Sequence, residues 1–218
     1  MLPDDNRQKI ENIITGNVIK GQPDYCTTIR NLLCTGFTAS RSLKKDFESK
    51  QRIKEEQATF LERYSKQHNL LVEHPEAATQ IASGGEARIY FSEDKRSVLK
   101  ANDCGYYATW LEFFDSLLLH NTIFSNTAYE LLGFTVMPNQ VNEMALHAVV
   151  KQPYIISDRL VELHEIKSFL EYNGFQNIRR NDYIHPSLSL ILEDMHDENV
   201  LVQQDTLFFI DTVFYVNA

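Results

Sequence analysis

The residues able to do chemistry gather near the end of the sequence, in LILEDMHDENVLVQQDTLFFIDT over 190–212. Asp194 is followed five positions later by Asn199 and, twelve further on, by Asp211, which closes the apolar run Leu207, Phe208, Phe209, Ile210. His196 and Asp197 lie in the connecting turn. Strands on both sides of that turn would aim these polar side chains at one mouth. Carboxylate and amide oxygens at adjacent strand ends suit a hard divalent cation such as Mg²⁺, which they bind together with substrate phosphates. A further acid that does not ligate the metal is what phosphoryl transfer needs to orient a hydroxyl and accept its proton.

The elements that must hold these residues can be read from periodicity. Apolar residues at Ile10, Ile13 and Ile14, and again at Ile29, Leu32 and Leu33, recur at helical spacing on either side of a Gly21–Pro23 break. A charged segment without Gly or Pro, from about 42 to 67, carries a sparse stripe (Phe47, Ile53, Phe60, Leu61, Tyr64) that predicts one long helix. Near Glu76 the pattern changes to alternation, and three antiparallel strands are expected over 79–101. A helix is expected over 105–119, with Tyr107, Trp110, Leu111, Phe114 and Leu118 near one face. Strands at 133–138 and 145–151, a helix at 160–172, and strands at 188–193, 199–203 and 206–211 complete the reading.

The run Asp194-Met-His196-Asp-Glu-Asn199, followed by Ile210-Asp211, resembles the catalytic loop and metal-binding aspartate of the protein kinase-like superfamily. The histidine two residues after the aspartate is similar to the aminoglycoside phosphotransferase branch. The resemblance makes Asp194 the catalytic base, Asn199 a metal ligand, and Asp211 the aspartate that holds Mg²⁺ on the phosphates of ATP. Upstream, Ser83-Gly84-Gly85 through Tyr90 resembles the glycine-rich turn over those phosphates, with Gly84 and Gly85 as nucleotide-binding positions. Val98-Leu99-Lys100 resembles the strand that carries the phosphate-contacting lysine, which makes Lys100 both nucleotide-binding and catalytic. Glu112, with Glu130 as second choice, would pair with that lysine. The segment VVKQPYI, including Gln152, stands where the superfamily has its adenine-binding hinge. From GGEARIY to the final IDT, about 76–214, the sequence resembles the polyvalent protein kinase-like domains of phage and mobile-element proteins.

The resemblance implies an α+β chain: a minimal two-lobed protein kinase-like fold with an N-terminal helical module. The expected boundaries are 1–75 for the helical module and 76–218 for the kinase-like domain, divided into 76–156 and a reduced 157–218. Some features depart from protein kinases. Leu192-Glu193 stands before Asp194 in place of His-Arg, and Thr212-Val213 follows Asp211 in place of Phe-Gly. With seven residues after Asp211, no activation segment or peptide-binding helices are expected. The survival together of Lys100, Asp194, Asn199 and Asp211 nonetheless favours an ATP-dependent phosphotransferase acting on an acceptor hydroxyl. A pseudokinase scaffold serving as an interaction module is the alternative, and another metal-dependent activity in the same cleft a third reading. For His196 a hydrogen-bonding role inside its loop is expected. His120, His147, His164 and His185 show no ligand spacing and read as core or surface residues.

Composition bounds the remaining choices. The chain has 218 residues, 43% hydrophobic and 23% charged, a soluble globular profile of one large domain or two small ones. Three cysteines at uneven spacing (Cys26, Cys34, Cys104) form neither a disulfide framework nor a zinc motif. The opening MLPDDNRQ has no basic stretch and apolar core, and no apolar run reaches the roughly 20 residues of a spanning helix, so a cytoplasmic protein without a membrane partner is expected. The net charge of −9 argues against an obligate nucleic-acid binder. That charge is uneven: residues 1–75 carry 12 Lys/Arg and 10 Asp/Glu, leaving 9 and 20 for residues 76–218.

Overall fold

The computed structural model describes residues 4–21, 24–37, 47–72, 80–83 and 87–217. These residues form an α+β chain of five α-helices with antiparallel strands in three sheets. It divides into two compact units. One, the five-strand unit, comprises Lys20–Phe114 and Tyr129–Tyr154; the other, the four-strand unit, comprises Met1–Ile19, Asp115–Ala128 and Ile155–Ala218. Among the described residues no helix is long and apolar enough to cross a membrane.

In the five-strand unit, helix α2 (Tyr25–Gly36) starts where the Asp24 carboxylate accepts from the Thr27 amide at 2.7 Å, satisfying one of the free N–H groups of the first turn. Helix α3 (Phe47–Gln67) buries Ile53, Gln57, Leu61 and Ser65, four residues spaced by four along one face. Phe60 and Tyr64, expected on that face, are only half-buried and stack on each other at its flank. Half of the buried face is therefore polar, and its side-chain oxygens find specific partners. Ser65 donates to the Leu61 carbonyl at 2.7 Å, and Gln57 Oε1 accepts the Leu111 amide at 3.3 Å. Lys54 reaches further, donating to the carbonyls of Cys104 (2.6 Å) and Tyr107 (3.0 Å).

The expected meander appears as β1 (Gln80–Ser83), β2 (Ala87–Phe91) and β3 (Ser97–Asn102). With β4 (Glu130–Pro138) and β5 (Met144–Pro153) these strands form one antiparallel sheet in the order β1-β2-β3-β5-β4. Tyr90, Ala101, Met137 and Val149 make a buried cluster on it. The chain after α3 is stitched to this sheet at Phe134, whose amide donates to the Leu70 carbonyl (2.7 Å) and whose carbonyl accepts from Val72 (2.9 Å). So close an approach needs Gly133, with φ +155° at a bulge in β4.

Helix α4 (Trp110–Ile123) begins five residues later than periodicity predicts. Asn102 and Asp103 side chains accept the amides of Cys104 (2.8 Å) and Gly105 (2.9 Å), and Cys104 adopts φ +64°, so the chain first makes two tight polar turns. Thr109 then caps the helix, its hydroxyl accepting from the Glu112 amide at 3.1 Å.

The four-strand unit holds α1 (Asp4–Thr15), the last part of α4, a 3-10 turn at Ser125–Thr127, and α5 (Leu163–Tyr172). Its sheet runs β11-β8-β7-β6, from β6 (Gln176–Arg179), β7 (Asp182–His185), β8 (Leu190–Glu193) and β11 (Val213–Val216); β9 (Val200–Gln203) and β10 (Thr206–Phe209) form a separate hairpin. Strands β6, β7 and β11 were not expected from sequence. Every residue of β6 is exposed, so it shows no alternation to detect.

The packing at Gly133 generates a test. A Cβ there would lie 2.2 Å from the Leu70 carbonyl oxygen, inside any allowed contact. Gly133→Ala is expected to destabilise the protein by about 1–3 kcal/mol, as overpacking does, measured as a drop in urea midpoint at unchanged slope.

Candidate active site

The loop after β8 is built around a sharp reversal at Asp194, which adopts φ +63°. Aspartate tolerates this left-handed conformation better than most residues, because its short side chain can hydrogen-bond locally. Two bonds from the β6–β7 turn brace the reversal: the Asp194 amide donates to Asp182 Oδ1 (3.2 Å) and the Met195 amide to the Asn181 carbonyl (2.9 Å). Met195, 1% exposed, anchors the loop in apolar surroundings. Neither brace was predicted, although the Asn181-Asp182 pair is itself a turn signal.

The loop closes on itself through Asn199. Its Nδ2 donates to the Asp194 carbonyl at 2.8 Å and lies 3.4 Å from Asp194 Oδ2. His196 Nδ1 accepts the Glu198 amide at 3.2 Å, so the neutral ring carries its proton on Nε2, which faces the same Asp194 Oδ2 at 3.4 Å. His196 thus hydrogen-bonds within the loop. One carboxylate oxygen of Asp194 is approached by both donors. The other, Oδ1, has no hydrogen-bond partner among the described residues, and the side chain is 64% exposed. Asn199 Oδ1 likewise has no partner among the described residues, because the amide nitrogen is the atom committed to the loop.

Asp211 is set one residue beyond this closure. Val200 pairs with Phe209 in the β9–β10 hairpin, and the ladder continues with the Ile210 amide donating to the Asn199 carbonyl at 3.0 Å. Asp194, Asn199 and Asp211 therefore belong to one unit and to two adjoining turns of it. Among the described residues no group of three or more His, Cys, Asp or Glu side chains could hold a metal ion. An asparagine oxygen and one carboxylate, with substrate phosphates filling the other positions, is a different donor set, and both are the hard oxygen ligands that Mg²⁺ takes.

In the five-strand unit, Lys100 sits at the centre of the sheet, opposite Ile89 on β2 and Val150 on β5, and is 6% exposed. Its Nζ lies 5.4 Å from the ring centroid of Tyr129 and 3.5 Å from that residue's hydroxyl, a cation–π geometry. Gln152 is buried on β5, opposite Val98. Glu112 turns to its own helix, its carboxylate accepting the Ala108 amide at 3.1 Å; among the described residues neither it nor the exposed Glu130 forms an ion pair with Lys100. Gly84 and Gly85 lie outside the described residues.

Comparison with known proteins bears on the whole arrangement. The family model described as the serine/threonine/tyrosine kinase found in polyvalent proteins matches residues 54–218. The chain belongs to that family. The match puts it among kinase-like phosphotransferases, gives its α+β architecture a kinase-like fold, and begins within α3, upstream of the stretch on which the sequence resemblance rests. No curated protein and no solved structure matches the chain.

The loop after β8 also carries an electrostatic load. Burial, and then the nearby charges of Asp182 and Asp194, push the Glu193 carboxyl above the ordinary glutamate range. A carboxyl whose pKa is raised in the folded state is destabilising once ionised, so its penalty grows as pH rises through that range. Glu193→Gln is therefore expected to raise the melting temperature at pH 7, with the gain vanishing at a pH below the ordinary glutamate pKa of about 4.3; scanning calorimetry across pH reads both.

Proposed function

We propose that this chain is an ATP-dependent phosphotransferase in which Asp194 is the base for the acceptor hydroxyl, Asn199 and Asp211 hold Mg²⁺, and Lys100 contacts the nucleotide phosphates. The observation that carries the proposal is the division of labour at Asp194. One of its oxygens faces His196 and Asn199, while the other has no hydrogen-bond partner among the described residues. A carboxylate held on one side and open on the other can orient a hydroxyl and take its proton.

The remaining roles follow from chemistry already described. Asn199 has its nitrogen tied to the Asp194 carbonyl, which turns its oxygen into a fixed hard donor rather than a rotating amide. Asp211, one residue past the Asn199–Ile210 bond, supplies the carboxylate. Mg²⁺, when bound, neutralises phosphate charge as it develops. The protein's own contribution is placement of the hydroxyl and of the donor atoms before reaction, so that little reorganisation is needed at the transition state.

Two substitutions separate base from ligand. Asp194→Asn is expected to lower phosphoryl transfer by roughly 10²–10⁴-fold, the usual share of a general base, while leaving the thermal stabilisation by Mg²⁺ and ATP intact. Asp211→Ala is expected to abolish the Mg²⁺-dependent part of that stabilisation. Full turnover by Asp194→Asn, or an unmutated protein that millimolar ATP with Mg²⁺ does not stabilise, would sink the proposal.

A further inference from the structure

The segment around Asp211 is gripped by buried polar groups that the phosphotransferase reading does not use. Ser116 and His120 stand four residues apart on α4, hence on one face, and are 1% and 0% exposed. Ser116 Oγ accepts the Phe214 amide at 2.9 Å. His120 Nδ1 lies 2.7 Å from Thr212 Oγ1, and its Nε2 lies 2.9 Å from the Thr127 carbonyl. A carbonyl oxygen can only accept, so Nε2 carries a proton, and in the neutral ring Nδ1 accepts from the Thr212 hydroxyl. Thr127, itself 1% exposed, donates its hydroxyl to the Phe209 carbonyl. The relay thus runs from the side chain just after Asp211, through His120 and Thr127, to the carbonyl two residues before it. The ring of Phe124, stacked on Phe209 with centroids 4.2 Å apart, closes the apolar side.

A histidine at this depth with both ring nitrogens engaged is more than a space-filler. An aliphatic residue would pack there without requiring a hydroxyl at Thr212 and a carbonyl at Thr127 at matched distances. Fixing the backbone on both sides of a residue restricts where its side chain can point, and groups that orient a ligand in this way typically change metal affinity when removed. We propose that His120 and Thr212 are positioning residues that hold Asp211 in its metal-binding orientation, an inference that rests on the phosphotransferase reading for its consequence but not for its geometry.

Thr212→Val keeps the shape and deletes the hydroxyl, whereas Thr212→Ser keeps the hydroxyl. Hydrogen exchange followed by mass spectrometry, without nucleotide, should show the amides of 210–213 in Thr212→Val exchanging at least about tenfold faster, with 190–193 and 200–203 unchanged. In the Mg²⁺ titration of nucleotide-induced thermal stabilisation, Thr212→Val should need about tenfold more Mg²⁺, and Thr212→Ser should titrate like the unmutated chain. Unchanged exchange at 210–213, or Thr212→Ser failing as Thr212→Val does, overturns the inference. If the unmutated protein shows no response to Mg²⁺ and ATP, the phosphotransferase reading falls, and the exchange experiment still decides the grip. Should Thr212→Val not fold, the nitrogen chemical shifts of His120 in the unmutated protein decide it: a neutral ring protonated on Nδ1 instead of Nε2 overturns the relay.

Discussion

The bond from the Asn199 side chain to the Asp194 carbonyl is the constraint on which the loop after β8 depends. It spans five residues and converts a flexible polar turn into a closed ring, so that the two side chains keep one relation to each other. Asp194 can then occupy a left-handed conformation that carries strain for a residue with a Cβ. That strain is held from outside by Asp182 and Asn181 and from below by buried Met195. The same Asn199 extends the β9–β10 ladder through its carbonyl. One residue therefore couples the loop that would carry the base to the turn that would carry the metal.

Much of this unit was legible in sequence because its signals are local. The apolar alternation of β8, β9 and β10 and the acid–amide–acid spacing are properties of neighbours along the chain, and strands at 190–193, 200–203 and 206–209 fall inside the expected ranges. What was not legible depends on distant partners. β6 exposes every side chain and is a strand only because β7 pairs with it. The start of α4 is displaced by two side-chain turns that no periodicity registers. The buried stripe of α3 runs through Gln57 and Ser65, which hydropathy reads as solvent-facing, and leaves Phe60 and Tyr64 at its margin.

Glu112 shows the same limit at a candidate site. Its spacing from Lys100 made it the natural ion-pair partner, but position three of a helix is also where a glutamate reaches back to free amides at the N-terminus. The nearer interaction is the one formed, at 3.1 Å to Ala108. Lys100 instead lies against the Tyr129 ring, a contact between residues far apart in sequence that follows from strand order and not from motif spacing.

The replacement of Phe-Gly by Thr-Val after Asp211 takes on a physical meaning from these contacts. A glycine there would leave the backbone free to rotate, whereas Val213 begins strand β11 and pairs with Glu193, the residue before Asp194. The Thr212 side chain, 6% exposed, meets a histidine instead of a purely apolar pocket. Both changes stiffen the chain on the C-terminal side of Asp211. Since β8 and β11 are neighbours in one sheet, Asp194 at the end of the first and Asp211 just before the second share a rigid frame. If the proposed roles hold, such a frame would have its donor atoms arranged before any ligand arrives, without the hinge by which a Phe-Gly sequence could switch.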